Sequence, residues 1–225
     1  MTRRIHLDAN PDAIPLDGNH LGQLIAKNAH QHHSKLAVPF LDLTIEKNII
    51  LEQLKLPLDH QFHNPLPYET VHDLCHRLQT APTGRWKATV DAIAYIAQHT
   101  ELTPVGLSTG PFTVMTQLVA DAKAAVQQAG HGISAQDSPA VNLTEQMLDL
   151  ALRVCIRVIA SQLGAGAKVI IVCEPAVDQD CLQPVTFERY VLAPHRHIKE
   201  ILNAAGAELI VHAPGKLTPE MRKAF

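Results

Sequence analysis

Residues 168–215 constrain the fold more than any other stretch, because they predict a strand, a crossover helix and a second strand. The stretch opens with Lys-Val-Ile-Ile-Val-Cys, an almost unbroken apolar run rich in β-branched residues. Such a run is typical of a strand buried on both faces of a parallel sheet. A polar turn follows, then a helical pattern over about 186–205 that Gly206 ends, and then an apolar strand over 207–212. A crossover of this length between two buried strands indicates a βαβ unit.

The rest of the chain repeats this alternation of strand and helix. Apolar runs at 36–41 and 102–108 predict two more strands, and a capping box from Asn142 to Glu145 predicts the start of the longest helix. Helical periodicity covers 20–35, 45–55, 69–79, 84–99, 111–128 and 142–163. The predicted class is therefore α/β with about four parallel strands, half the number that a closed (β/α)8 barrel needs.

Length and composition bound the organisation and the partners. Residues 1–19 hold turn-forming residues without periodicity, so we expect a flexible lead-in to a single domain over 20–225. A net charge of −3 and an aromatic fraction of 4% give no basis for binding nucleic acid. No apolar run approaches the ~20 residues that span a bilayer, and the start of the chain does not read as a signal peptide. We therefore predict a cytoplasmic protein without a membrane partner.

Polar residues stand where the predicted strands end. Glu174 and His212 follow the two strands of the βαβ unit, and Asp42 and Glu46 flank the end of the first strand. Chemistry in α/β sheets and barrels is found at the carboxyl ends of the strands. Asp42 and Glu46 are equally explained as pocket acids or as residues that cap the following helix. Cys173 precedes Glu174 directly, so the two side chains are expected to point to opposite faces of the sheet.

Four stretches, in this order and spacing, resemble the uroporphyrinogen decarboxylase (URO-D) superfamily across about residues 20–215. The superfamily contains the decarboxylase itself and zinc-dependent methyltransferases that act on corrinoid proteins. The form Asp-Leu-Thr-Ile-Glu is more similar to the methyltransferase branch, the methylcobamide:coenzyme M type. The stretches are Phe-Leu-Asp-Leu-Thr-Ile-Glu at 40–46, Gly-Leu-Ser-Thr-Gly-Pro-Phe-Thr-Val-Met at 106–115, Leu-Gln-Pro with Phe187 and Leu-Ala-Pro in 182–194, and Gly-Ala-Glu-Leu-Ile-Val-His-Ala-Pro-Gly at 206–215.

The resemblance implies a partial (β/α)8 barrel that lacks family segments at both ends. The methyltransferases hold zinc through a His-x-Cys pair on one strand and a further Cys near the C-terminus. His212 matches the His of that pair and is our candidate metal ligand, whereas Pro214 replaces the Cys. The second Cys would lie beyond the present sequence, so zinc remains possible although two family thiolates have no counterpart.

The resemblance also suggests roles for other residues. Asp42 and Glu174 become the candidate catalytic groups, and Gly110, Pro111 and Phe112 become candidate substrate-binding residues at the floor of a pocket. As a turn and a helix start, the segment from Gly110 to Phe112 would have much the same sequence.

Three functions stay open at this point. The first is methyl transfer between a corrinoid (cobalamin) carrier and a thiol, with a corrinoid protein or a small-molecule methyl donor or acceptor as partner. The second is decarboxylation of a tetrapyrrole, for which the sequence supplies Asp42 but no evident arginine cluster. The third is a degenerate barrel that acts as a binding or assembly partner. An open sheet leaves two unpaired edges, so we expect a homo-oligomer or a partner chain that completes the barrel.

Overall fold

The computed structural model describes residues 15–78 and 81–225, so most of the predicted lead-in at 1–19 lies outside the described residues. Four parallel strands form one sheet in the order β1-β2-β3-β4, with helices between them. The predicted α/β class with four parallel strands is confirmed. The strands are β1 (Leu36–Ala37), β2 (Thr103–Thr109), β3 (Val169–Cys173) and β4 (Glu208–His212).

The helices follow the predicted periodicity closely. They are α1 (Gly18–Gln31), α2 (Ile45–Gln53), α3 (Tyr68–Arg77), α4 (Gly84–His99), α5 (Pro111–Leu118), α6 (Ala122–Gly130), α7 (Pro139–Gly164), α8 (Pro184–Phe187), α9 (Ala193–Ala204) and α10 (Pro219–Ala224). A π-helical turn (Glu188–Leu192) joins α8 to α9 without a break. Among the described helices, none combines the length and the apolar character that crossing a bilayer requires.

Three sequence-based boundaries were wrong, two of them for a local reason. The first strand stops at Ala37 instead of 41, because Pro39 has no N–H for the ladder and restricts Val38. The longest helix begins at Pro139, three residues before the expected capping box, with the Ser138 hydroxyl accepting from the N–H of Val141.

The third error is the single helix expected over 111–128, which the structure divides into α5 and α6. Val119 has extended dihedrals, and the loop residue Phe62 pairs with it as an isolated parallel bridge. The Phe62 N–H donates to the carbonyl of Leu118 at 2.7 Å, and the Ala120 N–H donates to the carbonyl of Phe62 at 3.1 Å. A distant segment therefore supplies hydrogen bonds that compete with the helix.

The two faces of the sheet are covered to different degrees. Ile170 and Val172 of β3 pack with Ile159 of α7 and Ile198 of α9, which defines the helix-packed face. Alternate strand residues point to the other face, and there Ile210 of β4 is 41% exposed. The prediction that the last strand is buried was therefore wrong, because β4 is an edge strand of the described sheet.

Candidate functional site

The carboxyl ends of β2, β3 and β4 place three chemically different side chains in register. Thr109 pairs with Cys173, and Cys173 pairs with His212. Register partners in a parallel sheet point to the same face, so these residues form one row, which we call the strand-end row. Thr109 and Cys173 are buried, whereas His212 is exposed. Solvent therefore reaches the row from the β4 side.

The next residue, Glu174, is not part of this row. Its side chain points to the helix-packed face of the sheet, as the alternation of strand residues predicts. Its side chain is fully buried. One carboxylate oxygen accepts from the N–H of Phe112 at 3.2 Å, and the other accepts from the N–H of Thr113 at 2.8 Å and from the Thr113 hydroxyl at 2.6 Å. Glu174 thus binds the free backbone donors at the start of α5.

The predicted substrate-binding residues surround this carboxylate. A Cβ atom added to Gly110 would lie 2.1 Å from the Glu174 carboxyl carbon, so only glycine fits at this distance. Pro111 opens α5 and Phe112 belongs to the main apolar core. All three residues are buried, and the contacts they make are with Glu174 and the core. Their role in substrate binding stays a prediction.

His195 of α9 approaches Glu174 from the other side. The imidazole is 4% exposed, and its Nδ1 lies 2.8 Å from the carbonyl oxygen of Val191. A carbonyl only accepts, so Nδ1 carries a hydrogen and Nε2 faces the Glu174 carboxylate at 3.8 Å. Burial raises the pKa of Glu174, while the charge of His195 and the donors at the start of α5 oppose that rise.

A second buried carboxyl lies at the end of β2. Glu46, from the first turn of α2, is 1% exposed, and its Oε1 accepts from the Ser108 hydroxyl at 2.8 Å and from the Thr109 N–H at 3.1 Å. Its Oε2 has no hydrogen-bond partner among the described residues. Burial raises the pKa of Glu46 to about 7, against the opposing effect of the Ser108 and Thr109 donors.

Two buried thiols lie close to these carboxyls. Cys155 of α7 donates to the carbonyl of Thr109 at 3.1 Å. Burial raises the pKa of Cys155 well above its usual value and that of Cys173 to about 12, and the negative charges of Glu46 and Glu174 add to both shifts. Both thiols are therefore protonated at neutral pH in this state of the protein.

Asp42 lies apart from these groups. One of its oxygens accepts from the N–H and the hydroxyl of Thr44, at 3.0 and 2.6 Å. The other is 3.7 Å from the Arg85 guanidinium, at a small cleft of about 120 Å³. These contacts form an Asx turn and an ion pair that hold the loop before α2. The catalytic role of Asp42 stays a prediction.

His212 has one candidate metal ligand beside it. The strand-end row offers the Cys173 thiol next to the His212 imidazole. Among the described residues, no group of three His, Cys, Asp or Glu side chains comes together to hold a metal ion. A zinc site that activates a thiol needs about three protein ligands. The described residues therefore do not form the site that the family resemblance implies, and the role of His212 as a metal ligand stays a prediction.

Sequence reasoning missed His195. The residue occurs within the helical pattern of Val191, Ile198 and Leu202, at the spacing of the buried face. A histidine in an otherwise apolar helical stripe was the signal that could have identified it. Ser108 and Thr109 gave no comparable signal, because short hydroxyl side chains are common at strand ends.

Fold and site together define an α/β protein whose polar groups gather at the carboxyl ends of parallel strands. The family model for uroporphyrinogen decarboxylase (URO-D) matches residues 31–224. The chain therefore belongs to the URO-D family, as the sequence motifs predicted.

One solved structure with a similar fold is a methyltransferase from Methanosarcina mazei, with a TM-score of 0.64 and 20% sequence identity. The match covers 89% of this chain and 57% of that one, so the chain spans less than two thirds of the methyltransferase. This likeness confirms the predicted partial TIM-barrel-like fold. No curated protein sequence matches the chain significantly.

Proposed function

We propose that this URO-D family protein is of the methyltransferase type and moves a methyl group between a corrinoid carrier and a thiol. One observation carries the proposal. Glu46, the last residue of the segment Asp-Leu-Thr-Ile-Glu, is buried against the end of β2 and is bound there by Ser108 and Thr109. This segment is the part of the sequence that most resembles the methyltransferase branch. The similar fold of the Methanosarcina methyltransferase supports the same branch.

The proposed reaction forms a carbon–sulfur bond and breaks the bond between the methyl carbon and cobalt of the carrier. The thiol loses its proton to solvent and supplies the electron pair of the new bond, while the pair of the broken bond stays with cobalt. We place the reaction at the strand-end row, where the exposed His212 is the first side chain that an incoming substrate would meet. The decarboxylase alternative is less well supported, because Thr44 and Arg85 already occupy the oxygens of Asp42.

A binding or assembly role is the second candidate, and the exposure of β4 favours it. Ile210 is 41% exposed, and β4 is the outermost strand of the described sheet. An apolar strand at an edge is a surface that proteins normally cover. A second copy or a partner chain that completes the barrel would cover it.

The direct test is to incubate the protein with methylcobalamin and a simple alkyl thiol from pH 6 to pH 9. We expect the absorption spectrum of the corrinoid to change as its methyl group is lost, and mass spectrometry to detect the methyl thioether. The same mixture without protein, and with the exposed-residue variant Glu52→Gln, sets the background and the normal rate. No thioether above background at any pH, with or without added zinc, would contradict the proposed activity.

A further inference from the structure

The two buried carboxyls of the site are held very differently. Glu174 accepts three hydrogen bonds and faces an imidazole at 3.8 Å. Glu46 accepts two hydrogen bonds through one oxygen, and its second oxygen has no hydrogen-bond partner among the described residues. A buried carboxyl in such surroundings is stable when neutral and costly when charged.

The groups around Glu46 offer little to balance a negative charge. Cys155 of α7 and Cys173 of β3 interact with it electrostatically, and both are neutral thiols. Arg85 of α4 lies in the cleft beside the start of α2, where its charge is paired with Asp42 at 3.7 Å. The elements β2 and α5, which also pack against α2, contain no titratable residue. Helix α3 meets the opposite end of α2, where Arg77 donates to the carbonyl of Gln53 at 3.2 Å. The ionised carboxylate of Glu46 is therefore stabilised mainly by contact with water.

Helix α2 is short, and its first turn contacts the end of β2 through Glu46. Its nine residues bury only Glu46, Ile50 and Leu51, and Thr44 at its start makes no capping hydrogen bond through its side chain. Through Glu46, this first turn binds Ser108 and the N–H of Thr109, both in the end of β2. Thr109 is the innermost member of the strand-end row and is fully buried.

We propose that Glu46 controls access to the strand-end row: its neutral carboxyl holds the start of α2 against the end of β2, and loss of its proton releases α2 and opens the row at Thr109. Glu46 is in this respect a positioning residue. The inference rests on the proposed function only for its purpose, which is to admit substrate to the row at neutral pH and above. The opening itself is a property of the free protein.

The direction and size of the effect follow from the pKa of Glu46, which is about 7 in the closed state and 4.5 for a solvated glutamate. The open state binds its proton more weakly, so opening becomes more favourable as the pH rises from 4.5 to 7 and levels off above 7. For these two values the opening equilibrium increases about tenfold between pH 6 and pH 8.

Amide hydrogen exchange on the full chain tests the proposal. Peptides covering 40–54 and 105–113 should lose protection about tenfold from pH 6 to pH 8, after correction for the intrinsic pH dependence of exchange. Glu46→Gln, which cannot ionise, should show constant protection, whereas Glu52→Gln, on the exposed side of the same helix, should behave like the wild type. Peptides from α9 should show no such change in any of the three proteins.

Constant protection in the wild type, or the same loss in Glu46→Gln, would overturn the proposal. If Glu46→Gln does not fold, the infrared band of the protonated carboxyl in the wild type replaces it. A band that disappears near pH 7 together with the loss of protection supports the proposal, and one that disappears near pH 4.5 overturns it. Because no methyl donor is present, a pH-dependent opening combined with failed methyl transfer would reject the proposed function and leave this inference standing.

Discussion

Strands β3 and β4 lie side by side, and Cys173 pairs with His212, yet their carboxyl ends differ in construction. After β3, Glu174 is fully buried and bound by the start of α5, and the His195 imidazole lies 3.8 Å from its carboxylate. At the end of β4, His212 is exposed. Glu174 at the β3 end is therefore part of the folded core, whereas His212 at the β4 end is available to a ligand or a partner. The following variants test that distinction, beginning with the largest expected effect.

Removal of the Glu174 carboxylate should have the largest effect on stability. Glu174→Ala leaves three buried donors at the start of α5 without an acceptor, and we expect a loss of about 3–5 kcal/mol in the free energy of unfolding. Urea denaturation measures this loss. Glu188→Ala is the control, because its exposed pair with Arg196 should contribute less than about 1 kcal/mol. Equal losses of stability in the two variants would show that the buried Glu174 carboxylate is no more important to the fold than an exposed one.

The close packing of Gly110 on Glu174 predicts the second effect. Gly110→Ala should lower the free energy of unfolding by about 1–3 kcal/mol, because the added methyl overlaps the buried carboxyl group. Gly164→Ala, at the end of α7, has no atom within 4 Å of the added Cβ and should be neutral or slightly stabilising. Thermal unfolding of both variants checks the prediction. A Gly110→Ala variant as stable as Gly164→Ala would show that the site adapts easily.

Glu46 predicts a pH-dependent effect. Its pKa is raised to about 7 in the folded protein, so its ionisation destabilises the fold as the pH rises from 4.5 to 7. Glu46→Gln should therefore be more stable than the wild type by up to about 3 kcal/mol at pH 8, and no more stable at pH 4. Denaturation at both pH values measures the difference. A constant difference would mean that Glu46 does not titrate in this range.

At the β4 end we expect an effect on assembly and little effect on folding. Ile210→Lys places a charge on the exposed face of β4 and should weaken association at least tenfold, while the free energy of unfolding of the protomer changes by less than about 1 kcal/mol. Light scattering over a range of concentrations measures the mass. Ile170→Val, on the helix-packed face, is the control and should leave the mass unchanged. A wild-type protein that stays monomeric at all concentrations would contradict the prediction.

His212→Ala should have the smallest effect. The exposed imidazole should contribute less than about 0.5 kcal/mol to the free energy of unfolding. Since the described residues gather no three-ligand site, we expect zinc bound by His212 and Cys173 to be weakly held, at less than one zinc per chain after dialysis. Elemental analysis checks this. Stoichiometric zinc that disappears in His212→Ala would show that His212 is a ligand in a site with contributions from elsewhere.

Much of the fold could be predicted from the sequence, because its main elements have strong local signals. The β-branched run before Glu174 predicts β3, and Gly206, with φ +66, ends the helix before β4 as expected. The break at Val119 could not be predicted, because it depends on hydrogen bonds to Phe62, which is distant in sequence. The burial of each face of β4 could not be predicted either, since it depends on the order of strands in the sheet.

The site was predictable only in part. The strand-end position of Glu174 follows from the pattern, but its partner His195 lies 21 positions away on a helix whose direction no local signal specifies. The opposite orientations of Cys173 and Glu174 follow from strand alternation alone. That Asp42 is bound by Arg85, however, depends on tertiary packing.

The π-helical turn between α8 and α9 has a consequence for the alignment of the site. Each residue of an α-helix advances the rotation by about 100°, so the wider π turn offsets α9 from α8 by a similar angle. With this offset, Phe187 before the turn and His195 after it both contact the ring of Phe225, at centroid distances of 5.6 and 5.4 Å. Deletion of one residue within the turn would keep the helix continuous but rotate His195 away from Glu174. The number of residues in this turn therefore sets the rotational phase that brings the imidazole to the carboxylate.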